Sequence, residues 1–270
     1  MGRLTASLVE RFLKWESSAQ RGFLLAVGLA IVMFLIATLA PSADVRLPAA
    51  ISFIALLVVM QGIFLWANRN MVTPYTQAQR AYMAGNFAQA KQILEEIRVT
   101  GKQDMNVLTL LGNTYRQLGE LDSSERVLSE CLNIYPKHYF PLYGFGRTLL
   151  AQGRYDEARE YFTQALEQGA PSVTQFDLAE AYYRQADTQT AKALLLQVRD
   201  GQSADQLSAE PHRLLMANYF LYRIDGGNAP DNAQIHDGIL FWQTQATLFQ
   251  HTPYGESVAS DVQFLEDLLK

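Results

Sequence analysis

The chain has 270 residues, 49% of them hydrophobic and 18% charged, a balance too apolar for a disordered chain and sufficient for a sizeable core. Its formal charge of −5 is unevenly spread: residues 1–70 carry six Lys/Arg against three Asp/Glu, while residues 71–270 carry 16 against 24. An acidic body argues against nucleic-acid binding, which needs clustered cations, and the single cysteine, Cys131, excludes an internal disulfide framework or a cysteine-based zinc cluster.

In chain order, residues 4–15 place Leu4, Leu8, Phe12 and Trp15 at three- and four-residue spacing with Arg11 and Lys14 off that stripe, the pattern of a short helix lying on a membrane surface. Two uncharged runs of 19 residues follow, 22–40 and 49–67. As helices each would rise about 28 Å, nearly the ~30 Å of a hydrocarbon core. A loop over 41–48, containing Pro41 and Pro48, joins them into a transmembrane hairpin. Arg3, Arg11, Lys14 and Arg21 precede the first run, and Arg69 and Arg80 follow the second. Since cationic flanks stay on the cytoplasmic side, residues 1–21, both termini and the body are expected in the cytoplasm, and a bacterial plasma membrane is the expected location. The spans hold no Asp, Glu, Lys, Arg or His, so they anchor and offer no ion path. Lipid is their expected surrounding, with Ala26, Gly28 and Ala30 as small residues on which other transmembrane helices could pack.

Beyond residue 70 the chain repeats itself. Ala78, Gly112 and Gly146 are 34 apart, as are Gly85, Gly119 and Gly153, and Ala90, Ser124 and Ala158; Leu94, Leu128 and Phe162 keep the same step, and Ala191 and Leu195 continue it. Four copies cover about 71–199. Each offers two amphipathic helices joined at a glycine turn, for example 106–118 and 122–134, and stacked copies bury a common core that no single pair could supply. Cys131 occupies the packing slot of Ala165. Residues 207–270 add three amphipathic stretches, 210–223, 231–250 and 257–269, read as a degenerate further repeat with capping helices. The fold class expected is therefore all-α: a two-helix transmembrane hairpin, then a helical solenoid with a C-terminal cap.

The copies resemble the tetratricopeptide repeat family. The second reads Leu108, Leu111, Gly112, Tyr115, Ser124, Leu128 and Pro136 against that family's pattern, and the third reads Leu142, Phe145, Gly146, Leu149, Ala158, Phe162 and Pro171. They depart where Ser124 stands for alanine, where Ala78 and Ala179 replace the small glycine, and where Ala186 replaces the turn glycine of the fourth copy.

The resemblance implies that the residue after each small one, Gln79, Asn113, Arg147 and Glu180, faces a concave groove. Tyr75, Tyr82, Thr109, Arg116, Gln117, Tyr143, Phe176, Asp177, Tyr183 and Arg184 would neighbour them. Aromatic rings with amide and guanidinium tips suit an extended peptide, and Asn113, Arg116 and Arg147 form the one stretch that would prefer an acidic segment. No metal, cofactor or catalytic constellation is expected: the four histidines lack metal-ligand spacing and no phosphate loop or nucleophile elbow occurs. The reading is a membrane-anchored scaffold or assembly factor, not an enzyme, binding a partner protein. A permanent accessory subunit of a membrane complex stands as one alternative, and an enzyme or ligand binder using a pocket between the array and residues 207–270 as another.

Overall fold

The computed structural model describes residues 17–68, 73–101, 104–200 and 209–270, so the surface helix expected over 4–15 lies outside the described residues. Thirteen helices and no strand occur among them. They divide into two compact units, Met1–Thr73 and Pro74–Lys270.

The first unit is a hairpin of α1 (Ser17–Leu39) and α2 (Ala43–Asn68). The expected loop over 41–48 shrinks to residues 40–42, because α2 begins at Ala43 and carries Pro48 in its second turn. Small side chains form the seam: Ala26, Ala30 and Ala49 are buried, and Phe34 meets Phe53 at 5.5 Å between ring centroids. Ala26 and Ala30 thus serve the hairpin itself and do not face an outside helix, leaving only Gly28 exposed. The rest of both helices is uncovered and apolar, with Leu25 69% and Leu39 75% exposed.

The second unit stacks helix pairs: α3 (Pro74–Met83) with α4 (Phe87–Val99), α5 (Met105–Gln117) with α6 (Leu121–Ile134), α7 (Tyr139–Gln152) with α8 (Tyr155–Glu167), and α9 (Thr174–Arg184) with α10 (Thr188–Asp200). Asp104 caps α5 by accepting from the Asn106 amide at 2.8 Å. The three turn glycines, Gly85, Gly119 and Gly153, have φ of 77°, 76° and 81°, a left-handed conformation that favours glycine; Ala186 holds the same position at φ 64°. The small residues set the pair spacing, since a Cβ on Gly112 would run into Leu128 and one on Gly146 would lie 2.8 Å from the Phe162 ring. Ser124, the departure from alanine, is buried without penalty because its hydroxyl donates to the Gly112 carbonyl at 2.8 Å and meets the Thr148 hydroxyl at 2.8 Å. Cys131 is fully buried, as its packing slot implies, and burial pushes its thiol pKa up.

The C-terminal residues depart from a plain cap. Helix α11 (Pro211–Asp225) stacks on α9 and α10 as the first helix of a fifth pair. Helices α12 (Asn232–Leu248) and α13 (Pro253–Asp267) then fold back over the first helices of the array and leave its end uncapped by a regular second helix. At its start α12 lies on α11, where the Trp242 indole donates to the His212 carbonyl at 2.7 Å and Gly238 sits so close that a Cβ would be 2.9 Å from Leu215. Its far end reaches the α5–α6 turn. From there α13 starts at Thr252 and Pro253, four residues before the expected boundary, because the Thr252 hydroxyl accepts from the Gly255 amide and proline suits the first helical position. It runs back past α7 and α9 to α11.

Candidate functional site

The small residue of each first helix faces its pair partner, so the next residue is turned about 100° away, toward the inner side of the array. Gln79 is exposed there, and Tyr75, Tyr82, Asn113, Gln117 and Arg147 are half-buried, giving an open strip across the first three repeats. Asn113 is held at its edge by close approach of α7: a Cβ on Gly144 would lie 3.0 Å from its Oδ1. Arg116 is 3% exposed, and its guanidinium makes a 3.5 Å reach from Nη2 to Asn113 Oδ1. Burial, and then the positive charge of Arg147, pull the Arg116 pKa down to about 10. Arg147 lies over the Tyr143 ring, 5.9 Å from its centroid. Thr109 is not part of this strip; it points into the core, with its hydroxyl 3.6 Å from Cys131 Sγ.

Beside Arg147, and on toward the fourth repeat, the chain itself closes the inner face. Tyr143, expected at mid-groove, donates its hydroxyl hydrogen to Asp177 Oδ2 at 2.6 Å and accepts from Arg213 Nη2 of α11 at 3.1 Å. Phe176 is buried under the Arg213 guanidinium, 5.7 Å from the ring centroid. Arg184 pairs with Glu180 at 3.1 Å and also with Asp261 of α13, whose other oxygen takes the Tyr219 hydroxyl at 2.9 Å. The ring of Tyr254 lies 5.5 Å from the Arg184 guanidinium, and Tyr183 stacks on Phe220 at 4.1 Å. Burial, with Asp177 and Asp261 nearby, raises the Glu180 pKa despite the opposing charge of Arg184. The expectation of an open groove therefore needs correcting at Phe176, Asp177 and Glu180, which are buried beneath α11 and the α12–α13 hairpin, and at Arg184, whose side chain is taken up by Glu180 and Asp261; Tyr183 stays half-buried at the edge.

Where the array meets α13 an open cleft of about 390 Å³ remains, lined by Tyr183, Arg184, Arg223, Ser257, Ser260 and Asp261 among others. Its one carboxylate, Asp261, is already committed to Arg184 and Tyr219. His212, beside this buried network, is driven down to a pKa of about 4 by burial and then by Arg213 and Arg147. The residues that sequence reasoning missed are Arg213, Leu248, Tyr254 and Asp261. A signal existed for the last: Asp261 adjoins the apolar row Val258, Val262 and Leu265, where a charge needs a buried partner.

Residues 103–170 and 149–209 each match a family model described as tetratricopeptide repeat, and over these residues the chain is a tetratricopeptide-repeat array. No curated protein matches the chain. Among solved structures, MamA 41-end from Desulfovibrio magneticus RS-1 aligns at 16% identity and a TM-score of 0.42, covering 72% of this chain and 92% of that one. A Podosopora anserina kinesin-light-chain structure with nearly identical TPR-like repeats aligns at 18% identity and a TM-score of 0.45, covering 73% and 95%.

Proposed function

We propose that this tetratricopeptide-repeat protein is a membrane-anchored scaffold that holds a partner protein on the inner face of its first three repeats. The observation that carries the reading is the open strip of Gln79, Tyr82, Asn113 and Arg147, a part of the inner face that the described residues leave uncovered. Rings beside amide and guanidinium groups can pack against a partner's side chains while satisfying its backbone.

Anchoring is supported by the α1–α2 hairpin. A helix pair with this much exposed leucine, isoleucine and phenylalanine costs free energy in water and none in hydrocarbon, and its backbone groups are satisfied within each helix. The cationic flanks favour a cytoplasmic body, in a bacterial plasma membrane.

Two experiments test the reading. Alkaline carbonate washing of membranes should leave the full chain in the pellet, and its release would refute anchoring. Gln79→Arg with Asn113→Arg should cut partner co-purification at least tenfold without loss of helix content; unchanged recovery would refute the binding face.

A further inference from the structure

We propose that α2 pairs in the membrane with α2 of a second copy of this chain, the two Gln61 side-chain amides hydrogen-bonded to each other across the contact. The inference rests on the anchoring reading above. Gln61 is the one side-chain amide in the two uncharged runs, which hold no charged residue and no histidine. It lies about 9 Å inside the Ala67 end of its run, deeper than its own side chain extends, so the amide sits in hydrocarbon. It faces away from the hairpin seam: Gln61 is exposed, whereas Ala49 is buried between α1 and α2. No described residue hydrogen-bonds its side chain. Thr38, by contrast, satisfies its hydroxyl on the Phe34 carbonyl at 2.9 Å.

An amide without a partner is unfavourable where water is absent. The neighbouring residues provide the surface on which a partner can reach it. Ile51, Ile54, Val58, Gln61 and Leu65 follow one another at steps of three, four, three and four, the spacing of a seam between two helices. The four apolar members are 60% to 67% exposed. A Cβ on Gly62, beside Gln61, would meet nothing, so another helix can approach closely. Lipid covers apolar side chains as well as a helix does, and it is therefore the amide that decides what lies here. A second copy fits it. Every copy carries the same cationic flanks and enters with the same orientation, which sets two α2 helices parallel with Gln61 at equal depth. An amide holds both donors and an acceptor and is complementary to its own copy. A helix of another protein would need an unrelated polar group at that depth.

The test uses the full chain in membranes, co-expressed as two copies with different tags. Cys131 is fully buried and gives the background. Val58→Cys and Leu65→Cys place a thiol in the seam, and Val59→Cys and Leu29→Cys place one on exposed positions outside it. Mild oxidation should join copies carrying both tags about fivefold more at positions 58 and 65 than at 59 and 29, because a disulfide needs Cβ atoms roughly 4 Å apart. In the Val58→Cys chain, Gln61→Leu should lower that yield about threefold or more, while Gln61→Asn, which keeps an amide, should retain over half of it. Equal yields at all four positions, an adduct of position 58 with a different protein in place of the second copy, or an unchanged yield with Gln61→Leu overturns the proposal. A chain that stays in carbonate-washed membranes without joining at 58 and 65 refutes this inference alone; a chain released by the wash refutes the anchoring reading as well.

Discussion

Leu248, in the last turn of α12, packs on Gly119, the turn glycine of the second repeat: a Cβ at Gly119 would lie 3.3 Å from Leu248 Cδ1. The contact shows how far back along the array the C-terminal hairpin reaches. Six large side chains of that hairpin, Trp242, Phe249, Tyr254, Val258, Val262 and Leu265, are buried at 7% exposure or less. At ~1.5–3 kcal/mol each, an upper estimate of their burial exceeds the ~8 kcal/mol of a micromolar peptide. The hairpin is therefore a permanent part of the fold and no exchangeable occupant of the groove.

The α12–α13 turn is the most sensitive point of that arrangement. A Cβ at Gly255 would overlap the Phe249 carbonyl, whereas one at Gly227 would meet nothing. Gly255→Ala should lower stability by about 2 kcal/mol or more, and Gly227→Ala by less than about 0.5 kcal/mol, as read from urea unfolding.

At Ala186 the prediction has the opposite sign. This residue adopts the left-handed turn conformation that glycine supplies in the other three repeats. Replacing it, Ala186→Gly, relieves backbone strain of ~1–2 kcal/mol at an entropic cost of ~0.5–1 kcal/mol. A gain of a few tenths to 1 kcal/mol is expected, and a loss in the same unfolding assay would refute the strain.

Acid should weaken the fold through His212. Its folded pKa, near 4, lies below the ordinary 6.5, so between those values the unfolded chain binds a proton that the folded chain refuses. Stability from this residue is complete above pH 6.5 and is lost as pH falls toward 4. After allowance for its partial solvent access the loss is about 2 kcal/mol. His212→Gln should flatten the difference in unfolding free energy between pH 7 and pH 4.5; an unchanged slope contradicts the assignment.

Two separate apolar clusters divide the body. One joins Leu94, Leu108, Leu111 and Val127 in the first two repeats, and the other runs from Leu149 and Phe162 into the C-terminal hairpin. The smaller cluster has no covering hairpin. Amide exchange should accordingly be faster in α3 to α5 than in α7, α9 and α11, and equal protection throughout would show one cooperative unit.

The repeats were legible because burial at pair interfaces imposes a fixed period on small and large residues, as at Gly112 with Leu128 and Gly146 with Phe162. It was the resemblance to the tetratricopeptide repeat that implied an inner side for Gln79, Asn113 and Arg147. It could not show that α12 and α13 return over that side. Amphipathic spacing tells which face of a helix is apolar but not which surface it covers, and residues 207–270 have no period to fix their neighbours. Arg184 and Asp261 are far apart in sequence, so their pairing had no local mark. The start of α13 was missed because Thr252 and Pro253 read equally as turn and as helix cap.

The most direct test of the central claim is photo-crosslinking from position 79 in intact cells, with position 160 on the outer helix α8 as the comparison. Both side chains are exposed. The account predicts one dominant protein adduct from position 79 and none of that identity from position 160. The same adducts from both positions, or none from position 79, would contradict it.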